Sequence, residues 1–222
     1  MDLTTGSTED ARGRRRRQDG ERSRAAILEA AARLATVEGL DGLSIGRLAD
    51  QVGMSKSGLF AHFGSKEELQ LATIELADEI FVEDVVAPAL SRPTSLARLE
   101  ALCEGFLSHV ERSVFPGGCF FASVAAEMDT KPGPVRDRAS RTVSGWRELF
   151  VRTIGEAQAE GGIDRGEEPE QLAFELQAPL LLANSQYVIS GDHDAIERAR
   201  RDIRRRLALA RVPPGAGAFQ VE

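Results

Sequence analysis

The chain has 222 residues, 42% hydrophobic and 28% charged, with 28 Lys and Arg against 35 Asp and Glu and a net charge of −7. That length suits one large domain or two modest ones, and the acidic total by itself argues against a polyanionic partner. No apolar run reaches the roughly 18–20 residues of a membrane helix, and Cys103 and Cys119 form no CxxC or Cys/His cluster, which disfavours a disulfide scaffold and a structural zinc site.

Residues 1–20 read as a disordered, charged arm that ends in Arg12, Arg14, Arg15, Arg16 and Arg17. No apolar core follows that basic stretch, so it is not a secretory signal and the expected compartment is the cytoplasm. From Arg22 the apolar period becomes helical: Ile27, Ala30, Ala31, Leu34 and Val37 share one face, and Gly39 supplies the stop. A short helix is expected over residues 44–51, capped by Ser44. Val52-Gly53-Met54 makes a tight turn, and a third helix capped by Ser55 runs to Phe63. After Gly64, Ser65-Lys66-Glu67-Glu68 has the form of a capping box and opens a longer fourth helix.

Beyond Pro88 the spacing predicts helices near residues 95–112, 119–128, 134–160, 169–190 and 192–210, separated by Phe115-Pro-Gly-Gly, Lys131-Pro-Gly-Pro and Gly161-Gly162. Pro134 and Pro169 fall in first turns, where a missing N–H costs nothing. No segment alternates with period two, and the tail 213–222 is rich in Gly and Pro. The expected fold is all-α: an N-terminal unit over 21–85, joined by a long helix to a helical unit over 86–212.

Residues 44–63 carry the strongest signal. A short helix with an apolar face, a glycine-bearing turn and a capped second helix are the parts of a helix-turn-helix. Ile45, Leu48, Ala49, Val52, Leu59 and Phe63 would fix the angle between the helices. Ser55, Lys56, Ser57, Gly58, Phe60, Ala61 and His62 would face outward, small, polar or basic groups that suit a DNA groove.

Together with Ser44, the runs Gly53-Met54-Ser55-Lys56, Leu59-Phe60, His62-Phe63 and Ser65-Lys66-Glu67-Glu68-Leu69 resemble the TetR family of bacterial transcription regulators over residues 22–75. The resemblance implies phosphate contacts by Lys56 and Lys66, with His62 beside the DNA backbone. It also implies hydroxyl or N–H contacts at Ser44, Ser55 and Ser57. Phe60 stands where members usually carry Tyr, and Gly58 where Ser or Thr is common, so one phenol and one hydroxyl contact are lost.

Charge distribution agrees with that reading. Residues 1–66 hold 11 Lys and Arg against 9 acids, whereas the remainder holds 17 against 26. Residues 12–24, from the arginine run to Arg24, carry seven arginines and two acids, a concentration suited to a minor groove.

The resemblance further implies an apolar effector pocket in the C-terminal unit, for which Cys103, Phe106, His109, Phe121, Met128, Trp146, Phe150 and Tyr187 are the candidate lining. It also implies a two-fold mate packed on the last two helices through Leu172, Leu176, Leu180 and Ala183 with Ile196, Ala199, Ile203 and Leu207. The arginines at 198, 200, 201, 204, 205 and 206 read as a solvated face. The expected protein is therefore a homodimeric repressor, released from a palindromic operator by a small, largely apolar effector. No membrane, metal or cofactor is expected. With no catalytic constellation visible an enzyme is disfavoured, and a sequence-indifferent DNA-bending protein is the remaining alternative.

Overall fold

A computed structural model describes residues 6–128 and 130–212, all of whose regular structure is helical. The N-terminal unit contains α1 (Gly6–Glu38), α2 (Ile45–Gln51), α3 (Lys56–Phe63) and α4 (Lys66–Phe81). A π-helical turn (Val82–Val86) and α5 (Ala87–Leu90) continue α4 into the C-terminal unit, which comprises α6 (Ser95–Glu111), α7 (Phe120–Met128), α8 (Pro134–Ala159), α9 (Pro169–Ser190) and α10 (His193–Ala210).

The three short N-terminal caps form as the sequence suggests. Ser44 Oγ accepts from the Arg47 N–H at 3.2 Å, Ser55 Oγ from Gly58 at 3.1 Å and Ser65 Oγ from Glu68 at 3.0 Å. Each satisfies a donor that a helix start would otherwise leave unmet. Ile27, Ala31, Leu48, Leu59, Phe63 and Leu69 close the small core between α1, α2, α3 and α4.

The chain differs from expectation at its start. Helix α1 reaches back to Gly6, through the stretch read as a disordered arm. No proline occurs before Pro88, Glu9 and Asp10 favour a helix N-terminus, and Ala, Arg and Glu propagate helix well. Residues 1–5 and the tail 213–222 lie outside the described residues.

A second difference concerns α9 and α10. Leu172, Leu176, Leu180, Ala183, Ile196, Ala199, Ile203 and Leu207 are all buried within the single chain. This stripe is the seam along which the two helices pack on each other and on α6, so it has no surface to offer a second copy. The α10 arginines are likewise not uniformly solvated. Arg200 is held by Glu104, Glu111 and Glu197, and Arg206 by Glu167 and Glu175, which pins α10 to its neighbours.

The joint between the two units is polar. Asp84, in the π-helical turn, accepts from Arg112 Nη2 at 2.7 Å and lies 2.6 Å from His109 Nδ1. Burial pushes the His109 imidazole below its ordinary value near 6.5, outweighing the pull of the Asp84 carboxylate. For Asp84 burial acts upward, but hydrogen bonds from Arg112 and His109 together hold the carboxyl below 3.8. The unfolded chain therefore takes up the His109 proton first, so that contribution to stability is complete above about pH 6.5 and declines as pH falls below it. The Asp84 contribution is present above pH 3.8 and is lost as pH falls through its lowered native value.

Two outcomes follow for chemical denaturation. Leu176→Ala should lose about 2–5 kcal/mol, as expected for a fully buried leucine. The wild-type protein should lose stability from pH 7.5 to pH 5, and His109→Gln should flatten that slope; parallel pH profiles would contradict the buried-imidazole account.

Candidate DNA-reading surface and ligand chamber

Helices α2 and α3 are locked by a turn in which the Met54 N–H donates to the Ala49 carbonyl at 2.9 Å. Gly53 takes φ 68° there, a left-handed conformation that glycine enters without penalty. With Leu59 and Phe63 turned into the core, α3 exposes Ser55, Lys56, Ser57, Phe60 and Ala61, while Gly58 and His62 are half-buried. This is the outward face expected from the sequence. It is polar at its start and ends in an aromatic ring, Phe60, that is 49% exposed.

Several side chains on this surface already have partners. Ser44 and Ser55 use their hydroxyls as caps, and Ser55 Oγ also lies 3.2 Å from Ser57 Oγ. Lys66 Nζ donates to the Asp41 carbonyl at 2.5 Å, so it braces the loop before α2 rather than projecting free. The Lys56 ammonium crosses Gly46 of α2, where a Cβ would come within 3.3 Å of Nζ. The Arg24 guanidinium lies over the Phe63 ring, 5.1 Å from its centroid, which brings α1 beside the end of α3. Arg17 is exposed; the side chains of Arg14, Arg15 and Arg16 lie outside the described residues.

A chamber of about 300 Å³ opens between α4, α6, α7, α8 and α9. Of the eight lining residues expected, Phe106, Phe121 and Trp146 border it. The other five serve the frame. Phe150 backs Trp146 with ring centroids 4.8 Å apart, His109 is engaged by Asp84, and the Tyr187 hydroxyl donates to the Glu111 carbonyl at 3.1 Å. Cys103 and Met128 are buried elsewhere in the core. Phe81, Cys119, Thr142, Arg147, Gln177 and Leu181 border the chamber and escaped the sequence reading. A hint existed at Gln177, an amide next to the apolar Leu176 and Leu180 stripe. The Cys119 thiol is pushed up by burial and stays protonated, which makes it a poor nucleophile.

Helix α7 connects chamber and reading surface. Phe121, Ala122 and Ala125 face the chamber, while Glu127 accepts from the Leu40 N–H at 2.6 Å and the Asp41 N–H at 2.8 Å. Those two amides lie in the loop between α1 and α2. Just before α7, the Gly117 N–H donates to Thr36 Oγ1 at 3.1 Å, and a Cβ on Gly117 would stand 1.9 Å from the Thr36 carbonyl oxygen. Only glycine permits that approach. Asp41 is further tied to Lys131 at 2.6 Å, and Gln70 of α4 donates to the Leu40 carbonyl at 3.0 Å. Neither Glu127 nor Gly117 carries a local sequence signal, since Phe115-Pro-Gly-Gly has only the pattern of a helix separator.

Comparison with known proteins agrees with this arrangement. Residues 27–73 match the family described as bacterial regulatory proteins, tetR family, and residues 95–203 match that described as Tetracyclin repressor-like, C-terminal domain. A curated relative, the transcriptional regulator AcuR of Cereibacter sphaeroides, is 24% identical over 146 residues, 62% of this chain. The matched region spans just under two thirds of that relative's own length, 64%. A TetR transcriptional regulator from Chloroflexus aurantiacus superposes with a TM-score of 0.81 at 25% identity, covering 87% of this chain and 98% of that one. AibR, solved in complex with isovaleryl coenzyme A and operator DNA, shares the fold at 22% identity and a TM-score of 0.68, over 85% of this chain and 97% of its own. The helix-turn-helix, the all-helical C-terminal unit and the family matches over both place this chain in the TetR family of bacterial DNA-binding transcriptional regulators.

Proposed function

We propose that the protein is a homodimeric repressor, released from an inverted-repeat operator when a small molecule occupies the chamber. The observation that carries this reading is α7, which has chamber residues on one face and both ends fastened to the elements that hold the helix-turn-helix. A ligand that shifts α7 changes the setting of α2 and α3, and DNA that fixes them disfavours the ligand in return. A coupling of about 1–3 kcal/mol changes affinity roughly 5–150-fold. AcuR is a transcriptional regulator and AibR was solved with both an acyl thioester and operator DNA, which supports the same division of labour.

For dimerisation the surface is not the buried stripe but the opposite face of α9. Phe174 is 69% exposed, Leu182 58% and Ile189 83%, with Leu181 and Val188 between them. Their spacing repeats at whole turns of the helix, and an apolar face of this extent suits a partner surface. A two-fold axis along it would present one α3 to each of two successive major grooves, about 34–36 Å apart. In this reading Lys56 is the principal phosphate contact, with the arginines of residues 12–24 reaching along the backbone or into a minor groove.

Selection of bound sequences from a random DNA pool should return one inverted repeat; recovery of unrelated sequences would favour the DNA-bending alternative. Lys56→Ala should weaken binding to all sequences and lower the slope of log affinity against log salt by about 1. Leu182→Glu combined with Ile189→Glu should give a folded monomer by sedimentation and cost about 10²–10⁴-fold in operator affinity, the avidity of two linked half-sites. A dimer that survives both substitutions would place the interface elsewhere. Glu127→Gln should keep operator binding measurable while shrinking the ligand-induced loss of affinity. An unchanged response would remove α7 from the route.

A further inference from the structure

We propose that the chamber takes a compact carbonyl compound, an aryl or branched-alkyl acid or its ester, seated among aromatic rings with its carbonyl oxygen on the Gln177 amide. The inference deepens the ligand-release reading and rests on it. Three features of the chamber select this class.

The body of the ligand is set by the walls. Phe81 stands at the centre of an aromatic group, with its ring edge-on to Trp146 at 5.0 Å, Phe121 at 6.3 Å and Phe106 at 6.4 Å. Packed rings of this kind present an apolar wall against which a flat or branched hydrocarbon can lie. A volume of about 300 Å³ lies at the small end of ligand sites, which favours a compact body over a long chain.

The polar requirement is set by one atom. Gln177 Nε2 is buried and has no hydrogen-bond partner among the described residues. Buried donors of this kind are normally paired, and a ligand acceptor supplies what the protein leaves unmet. The Thr142 hydroxyl, also at the wall, accepts from Arg138 Nη1 at 2.5 Å and makes no bond to Gln177 Nε2.

The sign of the charge is set by the rim. Among the described residues lining the chamber the single charged side chain is Arg147, and no carboxylate faces the space. Aromatic walls by themselves suit an ammonium group, but with no carboxylate to pair it and a guanidinium at the wall, the charge balance disfavours an ammonium ligand. It tolerates a neutral carbonyl, and a carboxylate can reach Arg147, whose own ion partner Glu170 stands 3.9 Å away. Cys119, protonated in the wall, adds no covalent step.

Trp146 is the only tryptophan of the chain and lines the chamber, so its emission reports occupancy directly. The full-length protein would be titrated with phenylacetate, methyl phenylacetate, ethylbenzene and phenethylamine. At least one of the two carbonyl compounds should bind ten times more tightly than ethylbenzene, and the amine more weakly than either. Gln177→Leu should keep ethylbenzene affinity, which verifies the fold, and lose the tenfold preference. A tighter acid that Arg147→Met weakens identifies a free carboxylate as the source; a tighter ester indifferent to that change identifies an acyl ester. Equal affinity for ethylbenzene and the carbonyl compounds would overturn the proposal. So would a preference that survives Gln177→Leu, a tighter amine, or the absence of any change in emission. Anisotropy of the selected operator separates the two readings. Chamber binding with carbonyl preference but no release would sink the release mechanism alone, whereas release without carbonyl preference would sink the ligand class alone.

Discussion

The arrangement depends on the grip that α7 and the turn before it keep on the end of α1 and the loop that follows it. Glu127 accepts two consecutive backbone N–H groups, at Leu40 and Asp41, in the manner of a carboxylate filling a small nest of amides. Charge-assisted bonds to fixed backbone donors are among the stronger and more directional contacts available to a protein. Gly117 adds an approach so close to Thr36 that any side chain would force the two apart. Since Gly117 lies just before α7 and Glu127 in its last turn, that helix cannot shift without moving either the end of α1 or the loop leading into α2. The helix-turn-helix is therefore held at its base by the same element that forms part of the chamber wall.

The net charge of −7 looks different once it is placed on this frame. The basic excess sits in α1 and around α3, while several C-terminal acids are engaged in holding helices together. Glu104, Glu111 and Glu197 surround Arg200; Glu167 and Glu175 surround Arg206; Glu127 and Asp41 meet Lys131. Paired acids of this kind contribute little long-range field. The field at the reading end is governed by local cations such as Lys56, Arg24 and Arg17 rather than by the total. The average of the whole chain thus misdirects, and its distribution does not.

How much of this was legible follows from the range of each signal. The caps at Ser44, Ser55 and Ser65, the turn at Gly53 and the apolar faces of α2 and α3 are encoded within four residues of each other, and all of them form. Helical periodicity also located the stripe on α9 and α10, but a period identifies a face without identifying what covers it. Here the neighbour is the same chain. The more exposed set at Phe174, Leu182 and Ile189 is masked in sequence because Leu181 and Leu182 merge with the buried stripe. The chamber is the least legible part. Its walls come from five helices, and aromatic residues lining a space and aromatic residues filling one have the same local pattern. Phe150 and Trp146 illustrate this: they are four positions apart on α8, and only Trp146 reaches the chamber. Contacts such as Glu127 with Leu40, 87 positions apart, have no local signature at all.

Leu181 joins the two proposed interactions of the C-terminal unit. It lines the chamber and is also 52% exposed on the outer face of α9. If a second copy packs on that face, the same side chain is pressed from outside by the partner and from inside by the ligand. A ligand that pushes Leu181 outward then works against the dimer contact, while one that fills the space behind it without displacement supports that contact. Such a residue would couple occupancy to the relative setting of the two proposed protomers, and through them to the separation of two reading helices, independently of the path through α7. The two routes would act on different variables: α7 on the pose of one helix-turn-helix, Leu181 on the distance between the proposed pair. In the proposed dimer operator affinity would need both to be right at once, so either route would suffice to release DNA, and a modest bias on each would replace a large displacement of one.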